Sequence, residues 1–176
     1  MGYISRSVLR NYATQNMLLQ EANLHKSANA AGADVVVFLS HSHNDTELVQ
    51  AAENLLASAG VRIYVDWRDR EMPDTTNRET AERIKEKIGL CQKFVVLASS
   101  NALTSLWVPW ELGCADGKKR IDNIAILPVA EDSGRYDGTE YIQLYSTIQK
   151  LNNNYYVYNA GSVLASISLN NWLLRR

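Results

Sequence analysis

Between Asp34 and Val129 the chain alternates two kinds of segment, and that alternation most limits what it can fold into. DVVVFLS, VRIYVD, QKFVVLASS and NIAILPV are short runs dominated by β-branched and other apolar residues. Such runs suit strands buried on both faces of a parallel sheet. Between them lie TELVQAAENLLASAG and RETAERIKEKIGL, which carry apolar residues at helical spacing. Leu48, Ala51, Ala52, Leu55 and Leu56 form one face of the first helix. Asn44 or Asp45 is placed to cap it, Gly60 to end it, and Gly89 to close the second. YYVYN reads as a fifth strand, and a last helix is expected near VLASISLNNWLLRR. This order predicts an α/β fold, a doubly wound parallel sheet with helices on both faces. Ligands of such sheets bind outside the carboxyl ends of the strands, near the reversal of strand order. That rule points to the loops after Ser40, Asp66 and Ser99.

Ahead of this unit, Ile4, Val8, Tyr12, Leu18, Leu19 and Ala22 recur at roughly helical spacing, and SANAAGA then breaks the pattern. Residues 1–33 are therefore expected to be a helical extension and linker, and residues 34–176 the domain proper. A chain of 176 residues, 46% hydrophobic and 21% charged, can bury an ordinary core. Its formal net charge of −1 supplies no global field toward nucleic acid or an anionic membrane. Cys91 and Cys114 have no CxxC spacing and read as reduced thiols. No apolar run approaches the roughly 18 residues of a membrane span. No signal-peptide pattern is present, so a cytoplasmic location is expected.

The common phosphate cradles, GxGxxG after the first strand and GxxxxGK[ST], are absent, as is a GxSxG elbow. A nucleotide site here must be built differently. His41 and His43 flank Ser42 in the first loop, but two histidines fall short of a metal set. Cys91 is expected at the far end of its strand, so the loop reads as solvated histidines or a ligand contact, with no metal site. The most informative stretch is SSNALTSLWVPWELGCADGKKR, with two tryptophans and a glutamate within five residues just past a buried strand. Trp110 is expected to bury its ring. If the helix begins near Ser105, Trp107 and Glu111 share one face; if Pro109 is its first residue, Glu111 is its third. Either way the helix dipole favours an ionised Glu111, suited to a positively charged planar ligand.

FLSHSHND, IYVDWRD and FVVLASSNALTSLWVPWELG together resemble the TIR domain in its bacterial form, over roughly Asp34 to the C-terminus. The resemblance implies a five-stranded, flavodoxin-like parallel sheet. For many bacterial and plant members it also implies cleavage of the nicotinamide–ribose bond of NAD+, a substrate that needs no separate cofactor. Glu111 stands where those members carry the catalytic glutamate, and Trp107 where a tryptophan lines the site. Ser40, His41 and Ser42 match the loop at the ribose and nicotinamide end. Asp66, Trp67 and Arg68 open the loop that admits substrate and packs against a neighbouring copy. Ser99 closes the third strand beside the glutamate, and Ser105 opens the S-x-W-V-x-x-E-L-G run. Hydrolysis would give ADP-ribose, and internal attack a cyclic isomer. The resemblance extends to single-domain signal-making enzymes of bacterial antiphage defence, including Thoeris-type systems, which assemble with other TIR protomers and signal to a separate effector. Neither nucleic acid nor membrane is an expected partner. The alternative reading is a non-catalytic TIR adaptor acting by TIR–TIR assembly, but such members commonly lack a suitably placed glutamate. A receiver-like domain would want paired acids where Ser40 and His41 stand.

Overall fold

The computed structural model describes residues 3–15, 35–69, 77–136, 138, 140–164 and 166–175. The strands are β1 (Ile4–Ser5), β2 (Val36–Ser40), β3 (Arg62–Tyr64), β4 (Lys93–Ala98), β5 (Ile124–Ala130), β6 (Ser146–Leu151), β7 (Asn154–Tyr158) and β8 (Ile167–Ser168). The helices are α1 (Arg6–Gln15), α2 (Thr46–Ala57), α3 (Arg78–Leu90), α4 (Ser100–Leu103), α5 (Trp107–Asp116) and α6 (Leu169–Leu174). Five parallel strands run in the order β3-β2-β4-β5-β6, and β7 and β8 extend the sheet antiparallel beyond β6. From β2 the chain steps one way to β3 and then back across to β4. The order therefore reverses at β2, where the crevice of an open α/β sheet forms. No described helix is long and apolar enough to cross a membrane.

The period of two along each strand sorts the core into two layers. Val37, Leu39, Val95, Leu97, Ala125 and Leu127 face one side, against Leu9 of α1, Leu48 and Leu55 of α2, and Leu173 of α6. Phe38, Phe94, Val96, Ile124 and Ile126 face the other, against Ile84 and Ile88 of α3 and Val108 and Leu112 of α5. Phe38 and Phe94 stack at 5.3 Å across the β2–β4 pair. A slip of one residue in any central strand would exchange the layers, so burial on both faces pins the register.

Three features differ from the sequence-based expectation. The fifth parallel strand is β6, STIQKL, and not YYVYN; its mixed polar and apolar residues give no buried-run signal. YYVY instead folds back on β6 through Asn152 and Asn153, with Asn152 at φ 55°, a left-handed conformation that Asn tolerates better than most residues. Gly60, at φ 82°, ends the turn after α2 as expected. Gly89, however, lies inside α3, which runs on to Leu90 and stops as Cys91 turns extended into β4. The third difference is at the N-terminus. Ile4 and Ser5 pair with Val129 and Ala130 of β5, and this strand resets the helical phase. Leu9 is therefore fully buried while Val8 is exposed. The expected helical residues Leu18, Leu19 and Ala22 and the SANAAGA segment lie outside the described residues.

Candidate active site

β2, β3 and β4 deliver their carboxyl ends to one rim, each with a polar loop. After β2, His41 and Ser42 lead into a 3-10 turn, His43–Asp45, whose Asn44 amide donates to the Ser42 hydroxyl at 3.4 Å. After β3, Asp66–Arg68 form a second 3-10 turn. After β4, Ser99 caps α4 by accepting from the Ala102 amide at 3.0 Å. α5 then begins at Trp107, midway between the two expected starts, with the Ser105 hydroxyl accepting from the Trp107 amide at 3.1 Å.

Between these loops opens a cleft of about 260 Å³. Of the residues singled out in the sequence, His41, Ser42, His43, Asn44, Asp66, Ser105, Trp107 and Glu111 line it. Ser40, Trp67, Arg68 and Ser99 lie behind or beside it. Ser40 is buried beneath the rim and donates to Glu111 Oε2 at 2.5 Å. Trp67 packs edge-on against the His41 ring at 4.7 Å. Arg68 turns to α2, where it meets Glu53 and Gln50 at 2.8 Å each. The buried Ser99 donates to the Asp45 carboxylate, which also accepts from Asn101 at 2.7 Å. Asp45 does stand at the N-cap of α2, yet its side chain makes no cap bond there and ties the first loop to β4 instead.

Asn101 and Thr104 also line the cleft and belong to the polar stretch that the sequence marks out. Thr80 and Ile84 of α3 do so as well, and these carried no signal. In the folded helix Thr80 closes the capping box with Asn77 and Ile84 belongs to the core. Trp110 is only half-buried, with its ring set edge-on to Trp107 at 5.1 Å and Lys85 Nζ 5.5 Å from its centre. Both rings pack, partly buried, against the core layer of α3 and α5.

Glu111 is 5% exposed, and burial pushes its carboxyl up to about 8, with the Ser40 hydrogen bond opposing and the Asp66 charge reinforcing the rise. This corrects the expectation of a dipole-stabilised carboxylate. A helix dipole contributes about 0.3–1 kcal/mol, whereas withdrawing a carboxylate from water costs several kcal/mol. At neutral pH the group is largely protonated, and the arrival of a cation would favour its ionised form. His41 is likewise buried, and desolvation holds its imidazole below the usual value against the pull of the Leu39 carbonyl and Asp66. Its Nδ1 lies 3.0 Å from the Leu39 carbonyl oxygen. Cys91 is buried and Cys114 half-buried, and both are free.

The part of the chain that builds this rim falls within a match to a known family. The family profile described as TIR domain matches residues 37–155. A protein named "Probable 3' cyclic ADP-D-ribose synthase ThsB'", from Bacillus cereus (strain MSX-D12), is 37% identical over 118 residues, 65% of this chain. The match spans 60% of that protein's length.

Proposed function

The chain belongs to the TIR domain family, and from that premise we propose that its cleft cleaves the nicotinamide–ribose bond of NAD+, with Glu111 as the catalytic residue. The observation that carries this reading is Glu111 itself: a buried carboxyl, hydrogen-bonded by Ser40, lining a cleft beside the ring of Trp107. When the bond breaks, its electron pair goes to the nicotinamide nitrogen, whose positive charge it cancels. No general acid is required. C1′ of the ribose takes on oxocarbenium character, as in glycoside hydrolysis. A carboxylate fixed in a dry site stabilises that charge far better than it would in water. Addition of water at C1′, with loss of a proton, gives ADP-ribose. Attack by a hydroxyl or base nitrogen of the same molecule gives a cyclic isomer, the route favoured by the name of the Bacillus relative.

Ser42, Ser105 and Trp107 are the proposed substrate contacts, with His41 and Asp66 at the opposite wall. Ser40 acts on Glu111, while Trp67 and Ser99 position His41 and the Asp45 loop. Arg68 is the member of the expected set with the weakest claim, because its guanidinium is engaged by Glu53 and Gln50. The cleft is smaller than the roughly 300–1,000 Å³ of pockets that engulf a drug-sized ligand. It suits the nicotinamide riboside end of NAD+ and leaves the ADP end to the outer surface or to a neighbouring protomer. Self-assembly and delivery of the product to a separate effector in antiphage defence complete the proposal.

The direct test is incubation with NAD+ over a range of protein concentrations, read by mass-resolved chromatography. Nicotinamide release by the wild type, absent from Glu111→Gln, is expected. The mass of the second product separates hydrolysis from cyclisation, which differ by one water. No release at any concentration would overturn the reading for this chain. Two substitutions refine it. Trp107→Ala is expected to lower kcat/KM by about tenfold. Trp110→Ala removes the same ring pair from outside the cleft, so it should share the stability loss of about 1 kcal/mol that the pair is worth, with a smaller kinetic effect. Equal kinetic losses in both would remove the distinction. Ser40→Ala strips Glu111 of its buried hydrogen bond, so its carboxyl should titrate higher still and the acid limb of the rate profile should move to higher pH. An unmoved limb would show that the pair does not govern turnover.

A further inference from the structure

His41, His43 and Asp66 place three metal-competent groups at one wall of the cleft, with ligand atoms all within 4.8 Å of one another. The shorter of the two contacts made by the His41 ring assigns its tautomer. Nδ1 faces a carbonyl oxygen at 3.0 Å, a contact that only an N–H can satisfy. Nε2 therefore presents a lone pair. It is buried and has no hydrogen-bond partner, on a side chain only 2% exposed. What it faces is another acceptor, Asp66 Oδ1, at 3.6 Å. His43 Nε2 approaches the other oxygen of the same carboxylate at 3.4 Å. Asp66 is part-buried and its Oδ1 also accepts from the Trp67 amide at 2.9 Å, but nothing bridges it to the buried His41 Nε2, and a buried acceptor is rarely left facing a carboxylate without a positive centre between them.

From this cluster we propose that His41 Nε2, His43 Nε2 and a carboxylate oxygen of Asp66 bind a divalent transition-metal ion, with Zn2+ the best match. Two imidazoles and a carboxylate are the donor set that borderline ions prefer. In a tetrahedral site with bonds of 2.0–2.1 Å, neighbouring donors sit ~3.4 Å apart. The two histidine–aspartate separations already have that value to within a few tenths of an ångström. Only the histidine pair is wider, and His43, with a side chain 71% exposed, is free to swing inward. His41 is oriented from behind by the carbonyl of Leu39 and from the side by the edge of Trp67, as ligand histidines commonly are. Three protein ligands leave a fourth position open toward the cleft, available to water or to an oxygen of a bound ligand. The third donor is what the sequence did not reveal. His41 and His43 flank one turn, but Asp66 comes from the end of the adjacent strand, β3, which pairs in parallel with β2.

Ion binding is read without turnover, so this test stands apart from NAD+ cleavage. Tag-free full-length protein is stripped with chelator, desalted and titrated with ZnCl2 by calorimetry, with bound metal counted by atomic emission. Saturable binding of one ion per chain is expected. It should weaken by about tenfold or more in His43→Ala and in Asp66→Asn, since even outer partners of a metal site are worth that much. His43 is exposed, so His43→Ala should melt like the stripped wild type, and Zn2+ should raise the melting temperature of the wild type alone. Cobalt substitution should give visible d–d bands in the wild type that are lost in His43→Ala. Absence of saturable binding in the wild type, or equal binding in wild type and both variants, would overturn the site.

Discussion

Glu111→Gln is expected to lose NAD+ cleavage, by on the order of 10²–10³-fold or more, and to melt higher than the wild type at pH 8. Both halves come from one fact. The carboxyl is buried, and its pKa is raised from 4.5 to about 8. Because the folded state holds that proton more tightly than the unfolded state, its contribution to stability is fully present below pH 4.5 and is lost as pH rises toward 8. Glutamine has no proton to lose and keeps a carbonyl oxygen for the Ser40 hydroxyl. The stability gap between variant and wild type should therefore be absent near pH 4, open through neutrality and level off above pH 8. A tenfold difference in proton affinity between folded and unfolded chain corresponds to about 1.4 kcal/mol, and that alone raises the melting temperature by roughly 3–6 °C. Initial rates beside thermal melts at three pH values decide the matter. Turnover in a folded Glu111→Gln protein would sink the catalytic assignment. A variant that melts below the wild type at pH 8 would sink the account of why the group is strained.

The second large effect is on the rate itself. If the working form of Glu111 is the carboxylate, kcat/KM should fall about tenfold for each pH unit below 8 and reach a plateau above it. The sign follows from burial, which favours the neutral acid. A raised pKa keeps the free enzyme protonated at neutral pH, so raising pH recruits the active form. The cationic nicotinamide ring favours the carboxylate, so the limb in kcat should lie at lower pH than the limb in kcat/KM. Ionisation and substrate binding are then reciprocal, with a proton released as NAD+ enters. A profile that falls with pH would mean that the protonated acid is the working group and that Glu111 orients ribose hydroxyls instead of countering charge, and a flat one that its ionisation does not govern turnover.

Much of this was legible because it is local. β2, β4 and β5 are continuous apolar runs, and α2 and α3 carry their apolar faces at helical spacing, so their type could be read from a window of a dozen residues. The position of the cleft was legible for a more general reason, since the polar ends of three parallel strands must share one rim. β6 was hidden because an edge strand of the parallel core, half-covered by a hairpin partner, can be as polar as STIQKL and still pair. The N-terminal helix was read out of phase because a two-residue strand, too short to leave a pattern, precedes it. The half-burial of Trp110 was missed for a related reason, because residue type fixes how much a ring prefers burial but not what stands in front of it.

What the sequence by itself determined is the order and type of the central elements, the two-layered core and the set of polar loops that could meet. Periodicity and strand-end chemistry are properties of neighbours along the chain. Only the tertiary structure decided the state of the groups in those loops. Ser40 and Glu111 are 71 positions apart, and their hydrogen bond exists because β2 and α5 converge. Asp66 lies 23 positions from His43 and faces it because β3 pairs beside β2. A pKa or a ligand set depends on burial and on distances through space, where a displacement of one or two ångströms changes an electrostatic energy by several kcal/mol in a dry site. No pattern along the chain carries that information, and so the protonated Glu111 and the histidine–aspartate cluster emerge only when the strands are assembled.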